Sequence, residues 1–394
     1  MLQRIYRHLK RKSQLWRRRQ QLPGWIALPR EPNLSVEEVV AGRAGFHEMR
    51  PAAWSSPAVS LPPSVHFLSR REKSWSQVEP RLIPALGCFV IPDAICGGEG
   101  YVYQSGRLGR DVLTMPTEWC DQTRAVPEAV SLWHRESSVK VVDRPLLWFI
   151  SRGYNSYGHW WLDLVPRLFL LHQDRPEWLQ CFAVAIPDDL ADWARASLAK
   201  LFDLDASRLV EYSVPNEEFL TAPFVVVPTM MHRDHHFHPS AGEFYSTFLQ
   251  AKIGLTASQI PTLRYVFLSR GNMPLLRVAE NHQEVEELFK EEGFAVVAPE
   301  SLSWEEQIAL FQNVELVAGE HGSAMKNVLF APARTVQLVI NYLNSNQATI
   351  AAMKQQPCLI LGTKGFDSQN YNVPYRVDLK QLRQAIAHAK ALAI

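Results

Sequence analysis

Cysteine is scarce in this chain. The five present in 394 residues, Cys88, Cys96, Cys120, Cys181 and Cys358, are scattered and odd in number. No two form a Cys-x-x-Cys pair, which argues against a zinc ribbon or dithiol redox site and leaves reduced, structural thiols. Long apolar runs are lacking too. Nothing approaches the ~20 apolar residues that span a bilayer, and the N-terminus has no apolar core of the kind that directs secretion. A cytoplasmic location is the expectation. Net charge is almost absent, with 41 Lys plus Arg against 40 Asp plus Glu, so the bulk of the chain lacks the broad positive field of a nucleic-acid binder, and no nucleic-acid partner is expected. Acidic residues are missing from residues 1–21, which carry Arg4, Arg7, Lys10, Arg11, Lys12, Arg17, Arg18 and Arg19. Leu2, Ile5, Tyr6 and Leu9 stand at helical spacing there, so this segment is either a short amphipathic helix on an anionic membrane surface or a solvated tail.

What is present is enough apolar material for a real core: 47% hydrophobic against 21% charged residues. The length exceeds what one core usually covers, which predicts two domains and a cleft between them. Residues 1–63 read as the basic tail followed by a Pro/Ser-rich connector. Residues 64–258 read as a first lobe. Short apolar runs at 88–91, 100–103 and 111–113, separated by Gly97-Gly98 and Ser105-Gly106, predict a small β-meander at its start. From Pro145 onward, strands at 146–150, 182–186, 209–212 and 224–227 alternate with helical stretches at 157–172 and 189–202, the pattern of a parallel sheet covered on both faces. Residues 259–394 read as a second lobe. Its strands are predicted at 265–269, 294–297, 315–318 and 336–340, with helices at 283–291, after Ser303, at 324–330 and at 379–392. Asn281 with Glu284, and Ser303 with Glu306, have capping-box spacing. The fold class is therefore α/β, with two Rossmann-like lobes and an N-terminal β-rich extension.

Candidate chemistry sits at strand ends. The turn Gly319-Glu320-His321-Gly322-Ser323 leaves the carboxyl end of a strand and enters a helix, a geometry that offers backbone N–H groups to an anion. Gly322 allows close approach, Ser323 can cap or donate, and Lys326 stands one turn on. The plainer alternative is an ordinary strand-to-helix turn. Arg270 ends the strand 265–269 on the same side, where a guanidinium fork suits phosphate, and Arg277 follows in the loop. In the first lobe, His159, Asp163 and Arg167 lie at one-turn intervals on an otherwise apolar stripe, near Asn155, with Pro166 interrupting the helix. An Asp that orients a His fixes its tautomer and raises its basicity, as a general base requires; a pair bracing a helix is the alternative. The run His232-Arg233-Asp234-His235-His236-Phe237-His238 lacks a second ligand set, so a mobile histidine-bearing loop near the cleft is favoured over zinc.

In order, Ser269-Arg270, Arg277, Asn281, Gly293-Phe294, Gln307, His321-Gly322 and Asn327 through Pro332 resemble the pattern of glycosyltransferase family 61, which includes proteins described as capsular-polysaccharide glycosyltransferases. His159-Trp160, Asp163 and Pro166-Arg167 resemble its first-lobe segment. Where the family commonly has a second Gly followed by Leu and Thr, this chain has Ala324, Met325 and Lys326. The resemblance implies a GT-B-like, inverting glycosyltransferase. The second lobe would bind a nucleotide sugar, often UDP-linked, through Arg270, Arg277, Glu320, His321, Gly322, Ser323, Lys326 and Asn327. The first would bind a glycan or lipid-linked acceptor, with His159 and Asp163 catalytic and Asn155 and Arg167 on the acceptor side. No cofactor beyond the donor is implied, and no obvious Asp-x-Asp metal clamp is present. Polysaccharide pyruvyl transfer and an inactive sugar-nucleotide- or glycan-binding module are the alternatives.

Overall fold

A computed structural model describes residues 45–55, 80–104, 107–108, 139–215, 218–233, 236–254, 261, 263–270, 278–341, 346–363, 366 and 373–393. The basic segment 1–21, the predicted strand 111–113 and Arg277 lie outside these residues. The chain is mixed α/β, with parallel strands in several sheets and a β-rich N-terminal region. Among the described residues, no helix is long and apolar enough to cross a membrane.

The first sheet has six strands, in the spatial order Gly45–Arg50, Leu86–Pro92, Phe224–Pro228, Leu146–Leu147, Ala183–Pro187 and Leu209–Tyr212. Its last four strands run parallel, while Leu86–Pro92 is antiparallel to both of its neighbours. Two expectations are corrected here. Part of the predicted connector is the edge strand Gly45–Arg50, pinned by an Arg50–Asp174 ion pair at 3.2 Å. The run 88–91 belongs to the main sheet and not to the meander. The meander is built from Ile95–Gly97, Tyr101–Gln104 and Arg107–Leu108, which join Phe219–Thr221 and Val139–Val141 in a separate five-stranded sheet.

The second sheet is wholly parallel, in the order Ala295–Val297, Tyr265–Leu268, Leu316–Glu320, Val336–Ile340, Cys358–Leu361. Four of these strands read as continuous apolar runs because helices cover both faces. Its last strand, the apolar run Cys358–Leu361 between Pro357 and Gly362, and the helix Asn346–Lys354 are additions to the predicted elements. Ser303 and Glu306 form the expected capping box, and Asp378 accepts from the Lys380 and Gln381 amides to start the terminal helix Leu379–Leu392. Asn281 does not cap its helix. Its amide instead makes two 3.0 Å bonds to the Val377 backbone, tying the helix His282–Glu291 to the C-terminal segment.

The segment 157–174 is one continuous helical path with a wider turn in it. Tyr157–His159 leads into a π-helical stretch Trp160–Leu164, in which the Val165 amide bonds to the Trp160 carbonyl, and then into the α-helix Val165–Asp174. Pro166 has no N–H to donate and would strike the carbonyl one turn back, so the π turn absorbs the insertion without ending the helix. This same path joins the two sheets. Tyr157 donates to Asn327 Oδ1 at 2.8 Å, and Trp161 packs at 5.5 Å from both Trp304 and Phe330. One continuous apolar core therefore includes residues from both halves.

Because Trp161 is fully buried at this junction, Trp161→Ala is expected to cost about 3–5 kcal/mol. Urea unfolding followed by both fluorescence and circular dichroism checks this. A single weakened transition agrees with a shared core; loss confined to one of two separate transitions does not.

Candidate functional site

The first and second sheets each have one point in their parallel part at which the strand order reverses, and open α/β sheets bind ligands outside the carboxyl ends of strands at such a point. In the second sheet it falls between Tyr265–Leu268 and Leu316–Glu320. The residues leaving these two strands are Ser269-Arg270 and His321-Gly322. In the parallel part of the first sheet it falls between Leu146–Leu147 and Phe224–Pro228. The helical path carrying His159 and Asp163 follows the first of these strands, and His232 follows the second.

Asp163 is the centre of the first group. It is buried, with Oδ2 2.6 Å from His159 Nδ1 and Oδ1 2.8 Å from His232 Nε2. Burial alone would raise its pKa, but the two imidazoles outweigh that and hold the carboxyl well below the usual carboxylate range. An ionised carboxylate only accepts, so each imidazole donates to it. A neutral His159 therefore carries its proton on Nδ1 and leaves Nε2 bare, on a ring that is 46% exposed. Gly153, at φ +83°, passes so close to this ring that a β-carbon there would stand 2.9 Å from His159 Cδ2. The described part of the histidine run is paired strand where a loop was expected. His232–Arg233 and His236–Phe237 form a hairpin with His232, His236 and His238 buried, and His238 bonds to Ser240 and to the Pro51 carbonyl. Asp234 and His235 lie outside the described residues.

The second group surrounds the 319–323 turn. Arg270 lies against Gly322, so that a β-carbon on Gly322 would overlap its Nη1. Its Nη1 is 3.5 Å from the His321 carbonyl and its Nε 4.0 Å from Glu320 Oε2. Gly322 is extended, at φ 169°, so its glycine is needed for space and not for conformation. The close approach expected for a ligand is made by Arg270. Glu320 is buried, and its carboxylate is 3.7 Å from His282 Nδ1, an ion-pair and not a hydrogen-bond distance. Glu320 first, with Glu286 at 2.9 Å, raises the His282 pKa. The His321 amide is taken by the Ile340 carbonyl, so it is not one of the donors the turn offers.

The helix after the turn, Ser323–Phe330, is 3₁₀ and not α. A buried glutamine chain braces it: Gln347 donates to the Met325 carbonyl at 3.0 Å and Gln356 to the Val328 carbonyl at 3.1 Å. Asn327 is buried between Tyr157 and Gln307, a bridge between halves. Lys326 is buried, and its ammonium has no hydrogen-bond partner among the described residues. Burial pushes its pKa down to about 8, with the Asp163 charge opposing.

The two groups meet at Gly158, where a β-carbon would stand 3.1 Å from Lys326 Cγ and 3.3 Å from Ser323 Oγ. Two candidates spend their polar groups on the backbone. Arg167 is fully buried, donating to the Phe149 and Pro228 carbonyls at 2.7 Å each, and so clamps the two strands at the reversal point. Asn155 bonds to the Asp189 carbonyl and the Ala191 amide. The sequence does contain one Asp-x-Asp spacing, Asp203-Leu204-Asp205, at the opposite edge of the first sheet. There Asp203 pairs with Lys252 and Asp205 caps residues 206–208.

The arrangement presents, with His159 neutral, a bare imidazole nitrogen on one side of Gly158 and two cationic side chains on the other, one of them buried with no hydrogen-bond partner among the described residues. Such a pairing can remove a proton and stabilise a departing anion. A family model described as Glycosyltransferase 61 matches residues 157–338, which include both groups. No curated protein matches the chain.

Asp163 has a depressed folded pKa, so its contribution to stability is present above about pH 4 and is lost as pH falls through the carboxylate range. The stability gap between wild type and Asp163→Asn is expected to narrow below that pH in urea titrations at stepped pH. A constant gap contradicts the assignment.

Proposed function

The chain belongs to glycosyltransferase family 61 and is a glycosyltransferase, and we propose that it moves a sugar from a nucleotide donor, UDP-linked, to a hydroxyl of a glycan or lipid-linked acceptor, with inversion, in surface-polysaccharide assembly such as capsule formation. The reading includes a two-lobed GT-B organisation, with the donor on residues 259–394 and the acceptor on residues 64–258. It is supported by the two strand-order reversals, which open toward each other across Gly158.

In this reading His159 is the general base. Its Nε2 takes the proton of the acceptor hydroxyl as that oxygen bonds to the anomeric carbon. On the opposite face, the bond from that carbon to the diphosphate oxygen breaks, and its electron pair leaves with the nucleoside diphosphate. A single displacement inverts the configuration. Asp163 holds the His159 tautomer and stabilises the imidazolium that forms. Arg270, Lys326 and the start of Ser323–Phe330 meet the growing negative charge, with Glu320 orienting Arg270. Ser323, His321 and Arg277 complete the donor side. Asn327 and Asn155 hold the turns on either side of Gly158 in place, and Arg167 fixes the strands beneath the acceptor side. The observation that carries the proposal is the Lys326 ammonium: a buried cation with no hydrogen-bond partner among the described residues is costly unless an anion reaches it.

Thermal unfolding with a panel of nucleotides and nucleotide sugars tests this. A donor at a hundred times its dissociation constant stabilises by about 2.7 kcal/mol, and Arg270→Ala should lose that response. No response to any nucleotide would favour pyruvyl transfer or a glycan-binding module; a response without turnover would favour an inactive sugar-nucleotide-binding module. The Lys326 ammonium loses its charge as pH rises through about 8, so donor affinity should weaken above that pH in wild type. Lys326→Met should bind weakly at every pH and lose that dependence.

A further inference from the structure

The histidine run that the sequence left without a role supplies one. We infer that His232 is a positioning residue, which through the second oxygen of Asp163 fixes the tautomer and proton affinity of His159. This rests on the reading of His159 as the base.

Three observations carry it. First, the Asp163 carboxylate is shared, with Oδ2 on His159 and Oδ1 on His232, and each contact is short. A carboxylate gripped at both oxygens cannot rotate, so the His159 ring is held in one orientation. Second, the His232 side chain is 5% exposed, whereas that of His159 is 46% exposed. His232 is built into the wall behind the carboxylate and is not offered to a substrate. Third, its backing is rigid. The strand Phe224–Pro228 delivers it, Phe237 packs 5.3 Å from its ring across the hairpin, and the hairpin rests on the helix Asn346–Lys354.

The other groups that face Asp163 act at longer range. Arg167, from the same helical path, donates through Nε and Nη1 to the Pro228 and Phe149 carbonyls and couples to Asp163 through its charge. Lys326, from Ser323–Phe330, acts only through its charge, and Tyr245, from Phe244–Phe248, donates to the Trp161 carbonyl. The two imidazoles are therefore the direct donors. Sharing the carboxylate weakens it as an acceptor for His159. Removing the His232 donor hands the whole charge to His159, which raises the proton affinity of that ring and frees the carboxylate to turn.

The tautomer and titration of His159 can be read without any substrate, by nitrogen-15 NMR of the full-length protein labelled at histidine, with His159→Gln identifying the signal. Wild type is expected to show a protonated Nδ1 and a bare Nε2. In His232→Ala the titration midpoint should rise by about one pH unit and the tautomers should mix. His232→Gln, whose amide nitrogen reaches the place of the imidazole Nε2, should restore both. Should the alanine variant fail to fold, His232→Asn, too short to reach Asp163, carries the same expectation. An unchanged midpoint and tautomer in the folded variant that lacks the donor overturns the inference. Turnover of the donor found by the panel separates this from the underlying reading: if His159→Gln keeps full turnover, His159 is not the base, whatever the NMR of His232 shows.

Discussion

A buried carboxylate must be compensated on the spot, and Asp163 is the place where that requirement organises this protein. Its two oxygens are met by imidazoles from separate elements, one from the helix that follows Leu146–Leu147 and one from the hairpin that follows Phe224–Pro228. Those two strands flank the reversal point of the first sheet, and Arg167 ties their ends from below through the Phe149 and Pro228 carbonyls. Neutralising one charge thus holds together the carboxyl edge of the sheet, and it leaves a single nitrogen, His159 Nε2, unspent.

The second sheet reaches the same place by a different route. Its reversal point adds cations beside the buried Glu320 carboxylate: Arg270 lies over Gly322, and Lys326 is buried one turn further on. The halves approach so closely because position 158 has no side chain, and Tyr157 and Trp161 lock the approach from either side. The negative charge of Asp163 also reaches Lys326 and partly offsets its burial, so the two groups are electrostatically as well as sterically coupled. A shared core makes the relative placement of His159 and the cations a property of the fold.

Features set by local spacing were legible in the sequence. The strand Val336–Ile340, the helix Leu379–Leu392 and the Ser303–Glu306 capping box stand where periodicity put them. The His159–Asp163 pair was legible for the same reason, since one helical turn separates the two. Long-range partners were not. Asp163 and His232 are 69 residues apart, and Asn281 and Val377 are 96 apart, and nothing local in the sequence announces either bond. A signal for His232 did exist: it follows an apolar strand at the carboxyl edge, the position that singled out Arg270. It was obscured by neighbouring histidines that suggested a loop. The glutamine chain under Ser323–Phe330 was invisible for a related reason, because Gln337, Gln347 and Gln356 each look like surface residues until the sheet brings them together. Lys326 looks like an ordinary helix-surface cation in the sequence, and only its burial, with no hydrogen-bond partner among the described residues, sets it apart.

The most direct test of the central claim, that the two reversal points form one transfer site across Gly158, is a crystal structure with a bound UDP-sugar. The account predicts the diphosphate against Arg270 and Lys326, with the anomeric carbon turned toward His159 Nε2. A nucleotide seated elsewhere, or one whose anomeric carbon faces away from His159, would contradict it.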